Sequence, residues 1–437
     1  MSIVITKSSP VLVGPSKKTT SPATHKTIKL SSIDKSLAYH PNTFLIVYDQ
    51  PIHGRPSDTI KTALSQALDH YYPIAGRLMR DENDLGDLHI LCTGEGVEFV
   101  AASAKCTLKS TNVLEPSLAS NTLLKDLAVF YPIKTGYSNA DPLMLFQVTE
   151  FVCGGFIIGV TINHVITDGV GFTQFIKAVA EYARGHKSPS VVPVRYQDSF
   201  PEISLLPGMG GGGFTPMDKD SIADLVYLDI TIPSSLISCI KASDRSKPMT
   251  VFDVSAAVLW QCRTRTVMTN PDAPTMLIFP VDIRKHIDAK EGYYGNCLIL
   301  QVAIATSATV ANSDLKDIIK LIQDAKEKLP DLHNGSKDEE MMGVGEVSST
   351  FRYDTTLLIS NWRNLGVHEA DFGGGKPARV IPYWEDLSRV KCVACVLCPP
   401  IKGESGANVI SICVKKEHAS GFLGELARTS ESLGASL

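Results

Sequence analysis

Residues 187–218 carry SPSVVPV and then LPGMGGGGFTP, a run dense in proline, glycine and serine without a helical or strand-like apolar period. Such a segment cannot pack a core and reads as a connector. It falls near the middle of a 437-residue chain, and single cores seldom grow past about 250–300 residues. The expectation is therefore two domains, residues 1–190 and 221–437, joined by a linker over 191–220 and meeting along an interface that can hold a cleft. With 44% hydrophobic and 20% charged residues, each half has the material for a core. No short-period repeat is visible.

Both halves mix strand and helix patterns, which predicts an α/β class with mixed α+β sheets. In the first half the strand-like stretches are 43–48, 88–92, 143–151 and 156–163. A helix starts near Ser57, read as its N-cap, carries Ile60, Leu64, Ala67, Leu68 and Tyr71 on one face and ends at Pro73 and Gly76. A second helix has Phe172, Phe175, Ile176, Val179 and Tyr182 as its stripe and closes at Arg184-Gly185. The second half reads as strand 223–232, helices from Pro233 and Thr250, strands 275–281 and 297–305, helix 314–328, and strands 355–360 and 390–398.

A formal charge of −4 gives no footprint for nucleic acid or an anionic membrane. No apolar run reaches the roughly 20 residues of a membrane span, and the first residues lack the basic and apolar regions of a secretory leader. The expectation is a cytoplasmic monomer, although Ala435-Ser436-Leu437 faintly resembles a peroxisomal C-terminal tripeptide. The ten cysteines are spread through apolar segments and read as reduced and mostly buried. Cys392, Cys395 and Cys398 form a CxxCxxC run, but no fourth ligand lies nearby, so no metal is expected.

The segment GGFIIGVTINHVITDGVGF joins an apolar strand to a helix, with His164 where the strand stops and Gly169 and Gly171 opening the turn. That placement suits a proton-transfer group at the mouth of a cleft, although the motif alone is more often a histidine satisfied within a turn. Asp168, four residues on, has two readings: it orients the imidazole as in a catalytic triad, or it turns away and pairs with a cation. Arg284, in FPVDIRK, is the candidate cation, and the structural ion pair is the preferred reading. The sequence has no G-x-S-x-G elbow, no Walker A motif and no kinase catalytic loop around Asp371-Phe372-Gly373. A histidine base without a protein nucleophile points to direct transfer between two bound substrates.

The ordered signatures YYPIAGRL (71–78), CTGEGVEFV (92–100), NHVITDGVG (163–171), VDIRK (281–285), GYYGN (292–296) and DFGGGKP (371–377) together resemble the plant BAHD acyltransferases, within the wider H-x-x-x-D-G class of CoA-dependent acyltransferases. The resemblance implies two domains like chloramphenicol acetyltransferase, a solvent channel between them, and a stretch around 375–390 crossing back onto the first domain. It implies acyl-CoA as cosubstrate, with no permanently bound cofactor, and a small-molecule alcohol or amine as acceptor. Hydroxycinnamoyl, benzoyl and acetyl groups are the implied donors. The family motif is Asp-Phe-Gly-Trp-Gly, and this chain has Asp371, Phe372, Gly373, Gly374 and Gly375; loss of the tryptophan is expected to loosen a domain contact.

His164 would then be the general base, with Asp168, Arg284 and Gly169 as its structural surroundings. Asn296 or a backbone N–H near Gly169 would help bind the oxyanion. The helix start at Thr250, with Lys247 just ahead, is a candidate CoA-phosphate site. A catalytically weak binding protein on this fold is the runner-up, and a hydrolase is third.

Overall fold

The computed structural model describes residues 3–17, 26–80, 88–115, 121–132, 138–195, 222–244, 247–328, 352–387, 390 and 392–432. The linker expected over 191–220 therefore lies outside the described residues beyond Arg195, as do Gly210 to Gly213 and the C-terminal tripeptide. The first residues of that linker are held: Val194 bridges to Tyr293, donating to Gly292 O and accepting from Tyr294 N.

Strand Pro41–Tyr48 shows why the core closes as it does. Its run Phe-Leu-Ile-Val-Tyr has no polar face, and both sides are buried. Phe44, Ile46 and Tyr48 pack with Ile60 and Leu64 of helix Pro56–Leu68 and with Phe172 and Phe175 of helix Gly169–Ala183. Leu45 and Val47 face the other way, into a cluster holding Val396, Ile410 and Ile412 from the second half. One strand thus contributes to the core of its own half and to the seam between halves.

The seven-stranded sheet places Phe156–Asn163 and Met144–Phe151 on one side of Pro41–Tyr48 and strand Arg379–Tyr383 on the other. Arg379–Tyr383 pairs antiparallel, Ile381 opposite Leu45, so a strand from late in the chain completes the first sheet. Its Arg379 is buried and ion-pairs with Asp229 of strand Leu228–Ile232, while Nη1 donates to Val113 O at 2.9 Å. The second half is built on a six-stranded sheet with both parallel and antiparallel neighbours, and a three-stranded sheet flanks the first. Mixed α/β sheets are the observed class.

Some boundaries differ from expectation for identifiable reasons. Ser57 is not an N-cap: Arg55 occupies that position, Pro56 starts the helix, and Ser57 N donates to Glu150 Oε1 at 2.9 Å. The helix stops at Leu68, and Tyr71 instead precedes a 3₁₀ turn, Tyr72–Ala75, that contains Pro73. The strand expected from 223 begins at Leu228, because Asp224 adopts a left-handed conformation with φ of 61°. Helix Lys416–Ser432 was not anticipated; Gly421 and Gly424 weaken its intrinsic propensity, and burial of Phe422 against helix Val251–Val267 holds it.

Cys395 and Cys398 lie in strand Ala394–Cys398, fully buried, with Cys395 Sγ donating to Ser411 Oγ at 3.3 Å. Burial pushes the Cys392 thiol up to about 12. Among the described residues no helix is long and apolar enough to cross a membrane, and no group of three or more His, Cys, Asp or Glu could hold a metal ion.

Candidate active site at the seam between the halves

Every residue of strand Phe156–Asn163 is buried, on both faces. Gly159 permits this: a Cβ there would fall 2.1 Å from Leu127 O, so only glycine lets the neighbouring chain cross. His164 follows, partly exposed, where the strand ends. Its backbone N–H donates to His40 O at 2.8 Å.

The imidazole is anchored from the second half. Nδ1 lies 2.9 Å from Asn296 Oδ1, and Asn296 Nδ2 donates to His164 O at 2.7 Å and to Asp34 Oδ1 at 2.8 Å. With both amide hydrogens facing oxygens, the Asn296 oxygen faces the ring, so Nδ1 carries the proton and Nε2 keeps the lone pair. Asn296 is fully buried and its polar atoms are committed. The expectation that it binds an oxyanion is corrected: it has no donor left to offer.

Asp168 turns away from the ring. It caps helix Gly169–Ala183, with Oδ1 accepting from Gly171 N at 3.0 Å and from Arg284 Nη2 at 2.9 Å. Oδ2 accepts from Cys297 N at 3.0 Å. Arg284 also donates to Gly295 O at 2.9 Å. Burial works against its charge, but Asp168 and then Asp282 hold Arg284 above the ordinary guanidinium range. The ion pair therefore ties the helix behind the histidine to the Tyr293–Cys297 segment of the other half. Gly171 serves the same contact, since a Cβ there would sit 1.9 Å from Tyr294 O, while Gly169 makes room for Leu365, whose Cδ1 would lie 2.6 Å from a Cβ.

Burial pushes the His164 imidazole below its ordinary 6.5, partly offset by its own backbone, Asp168, Asn296 and Asp34. The ring is thus neutral at physiological pH. For a reaction needing the neutral base, kcat/KM should rise with pH to a plateau whose midpoint lies below 6.5. An initial-rate pH profile checks this; a midpoint of about 7.5 or higher would contradict the assigned environment.

The Thr250 and Lys247 pair does not form the expected anion site. Thr250 closes a capping box with Asp253: Asp253 N donates to Thr250 Oγ1 at 3.1 Å and Thr250 N to Asp253 Oδ2 at 2.8 Å. Asp253 is also ion-paired with Lys326, and Lys247 Nζ lies 2.6 Å from Glu327. A carboxylate already occupies the helix terminus, and a phosphate there would meet like charge.

The 371–375 loop docks on the first half. Asp371 Oδ1 accepts from Gly373 N at 2.7 Å and Gly375 N at 2.9 Å, and Phe372 sets its ring edge-on to Tyr48 at 5.4 Å. Tyr48 OH donates to Ala370 O at 2.8 Å. A Cβ on Gly374 would fall 2.4 Å from Pro51 O. Glycine here brings the two backbones together, so the expected loosening is corrected to a closer approach. Gly374→Trp should lower the denaturation midpoint by about 1–3 kcal/mol equivalent, checked by chemical unfolding.

Two residues of this site escaped sequence reasoning, Asp34 and Arg195. Ser31-x-x-Asp34 has capping-box spacing and forms one at helix Ser32–Ser36, so a helix start was readable there, but its contact with the histidine's partner was not.

A model of the transferase family matches residues 3–428. The chain belongs to the BAHD acyltransferase family. Acyl transferase 15 of Oryza sativa subsp. japonica is 42% identical, covering 98% of this chain and 99% of that protein. A myricetin 3-O-glucosyl 1,2-rhamnoside 6'-O-caffeoyltransferase of Crocosmia x crocosmiiflora is 34% identical over 98% and 99%. The 3'-N-debenzoyl-2'-deoxytaxol N-benzoyltransferase of Taxus canadensis is 32% identical over 86% and 84%. Among solved structures, vinorine synthase superposes with a TM-score of 0.78 over 98% of both chains at 21% identity. TRI101 of F. graminearum, complexed with coenzyme A and T-2 mycotoxin, gives 0.66 over 90% of this chain and 96% of that one at 17% identity. Membership of that family makes the protein an acyltransferase.

Proposed function

We propose that the protein transfers an aromatic acyl group, hydroxycinnamoyl or benzoyl, from CoA to the hydroxyl of a plant specialised metabolite, with His164 as general base and no covalent acyl-enzyme. The observation that carries this reading is the pinned tautomer: Asn296 holds the proton on Nδ1, which leaves Nε2 as the proton acceptor. In the reaction the acceptor O–H gives its proton to Nε2 as the oxygen attacks the thioester carbonyl. The tetrahedral adduct then collapses, the C–S bond breaks, and the proton passes to the departing CoA thiolate. Gly169, first residue of its helix, has a backbone N–H without an intrahelical partner and at the positive end of the dipole, which suits it to the developing oxyanion.

The acyl group follows the relatives, one named a caffeoyltransferase and one an N-benzoyltransferase. The latter supports an amine acceptor as the second reading. A matrix of caffeoyl-, benzoyl- and acetyl-CoA against matched alcohols and amines, with CoA release followed by a thiol reagent, tests both. Acceptor-dependent release with an alcohol is the expected result; release without any acceptor would replace transfer by hydrolysis. The monomeric state and the cytoplasmic setting belong to the same proposal, checked by light scattering and a fluorescent fusion.

A further inference from the structure

Asp34, in helix Ser32–Ser36, is fully buried although it is ionisable. Its Oδ1 accepts from Asn296 Nδ2 at 2.8 Å and from Asn296 N at 3.2 Å. Its Oδ2 accepts from Ser31 N at 3.1 Å and meets Arg195 Nη2, also buried, at 3.1 Å. Arg195 Nη2 in turn donates to Val165 O at 3.0 Å, one residue past His164. Residues 31–34, Arg195 and Asn296, distant in sequence, thus converge beside His164 and Val165.

The chemistry of the donors gives this convergence a direction. A carboxylate only accepts hydrogen bonds, so the Asn296 amide must present its NH₂ to Asp34. Turning the amide over would set its oxygen against two acceptors, Asp34 Oδ1 and His164 O, and leave its NH₂ facing the ring. We infer that Asp34, held by Arg195, is a positioning residue for acyl transfer: it fixes the Asn296 amide and through it the proton on His164 Nδ1, so that Nε2 is the reacting nitrogen.

The inference rests on His164 being the base, and its test reads the tautomer separately from the rate. The full-length protein is labelled with ¹⁵N-histidine, and the His164 signals are identified as those missing from His164→Gln. Wild type is expected to show Nδ1 protonated and Nε2 bare; a ring protonated on Nε2 overturns the inference whether or not any variant folds. Asp34→Asn replaces the obligate acceptor with an amide that can accept or donate. The double substitution Asp34→Leu with Arg195→Met removes the buried pair together, a change that folded proteins tolerate better than losing one charge. In either folded variant the Nδ1–H signature should be lost or mixed. The rate constant kcat should fall by about 10- to 100-fold, the scale seen when a group supporting a metal-bound histidine from behind is removed, with donor KM unchanged. An unaltered tautomer in the folded double variant overturns the inference even if the rate falls, since the loss then arises elsewhere. Normal transfer by His164→Ala would instead overturn the base assignment and leave the tautomer result standing.

Discussion

His164→Ala should yield a folded protein whose acyl transfer is slower by about 10²–10⁴-fold, the usual contribution of a positioned base. His164 lies just past the end of its strand and outside the apolar core clusters, so the fold should survive its removal. What disappears is the acceptor for the hydroxyl proton. Binding of both substrates and any oxyanion contact remain, so the residual rate should still exceed the uncatalysed one. Single-turnover rates with saturating donor, alongside far-UV circular dichroism, make the measurement. A folded variant with near-normal kcat would remove His164 from the chemistry.

Asp168→Ala should act on stability instead. It deletes the cap of helix Gly169–Ala183, worth about 1 kcal/mol, and takes from Arg284, whose side chain is 16% exposed, its buried carboxylate partner at 2.9 Å, leaving only the more exposed Asp282 at 3.3 Å. Breaking one side of a buried pair costs about 3–5 kcal/mol, so the unfolding midpoint should drop sharply and soluble yield with it. Asp168→Asn keeps the acceptor for Gly171 N but not the charge, and should fall in between. A variant that unfolds like wild type yet is inactive would return Asp168 to the role of imidazole orienter.

The legible parts of this site are those written locally. The strand ending at His164, the cap four residues later and the glycines around it are neighbours in the chain, and a period of two followed by a helical stripe exposes them. Arg284 was within reach because a buried aspartate needs a cation and VDIRK offers one. Asp34 and Asn296 are 262 residues apart, and no local pattern links a short capping-box helix near the N-terminus to the partner of a histidine. The failure at Thr250 has the opposite cause: the N-cap was read correctly, but Asp253 three residues on fills the terminus that a phosphate would need. At Gly374 the sequence shows a missing side chain, and only the approach of Pro51 shows why none fits.

Strand Arg379–Tyr383 carries a consequence for biogenesis. Until it emerges from the ribosome, Pro41–Tyr48 is an open border of its sheet, apolar on both sides and with one row of amides and carbonyls unmatched. At about 5–20 residues per second the nascent chain waits roughly tens of seconds for that match. Over this interval the growing polypeptide is a natural client for chaperones, and a messenger truncated before codon 379 would encode an aggregating fragment.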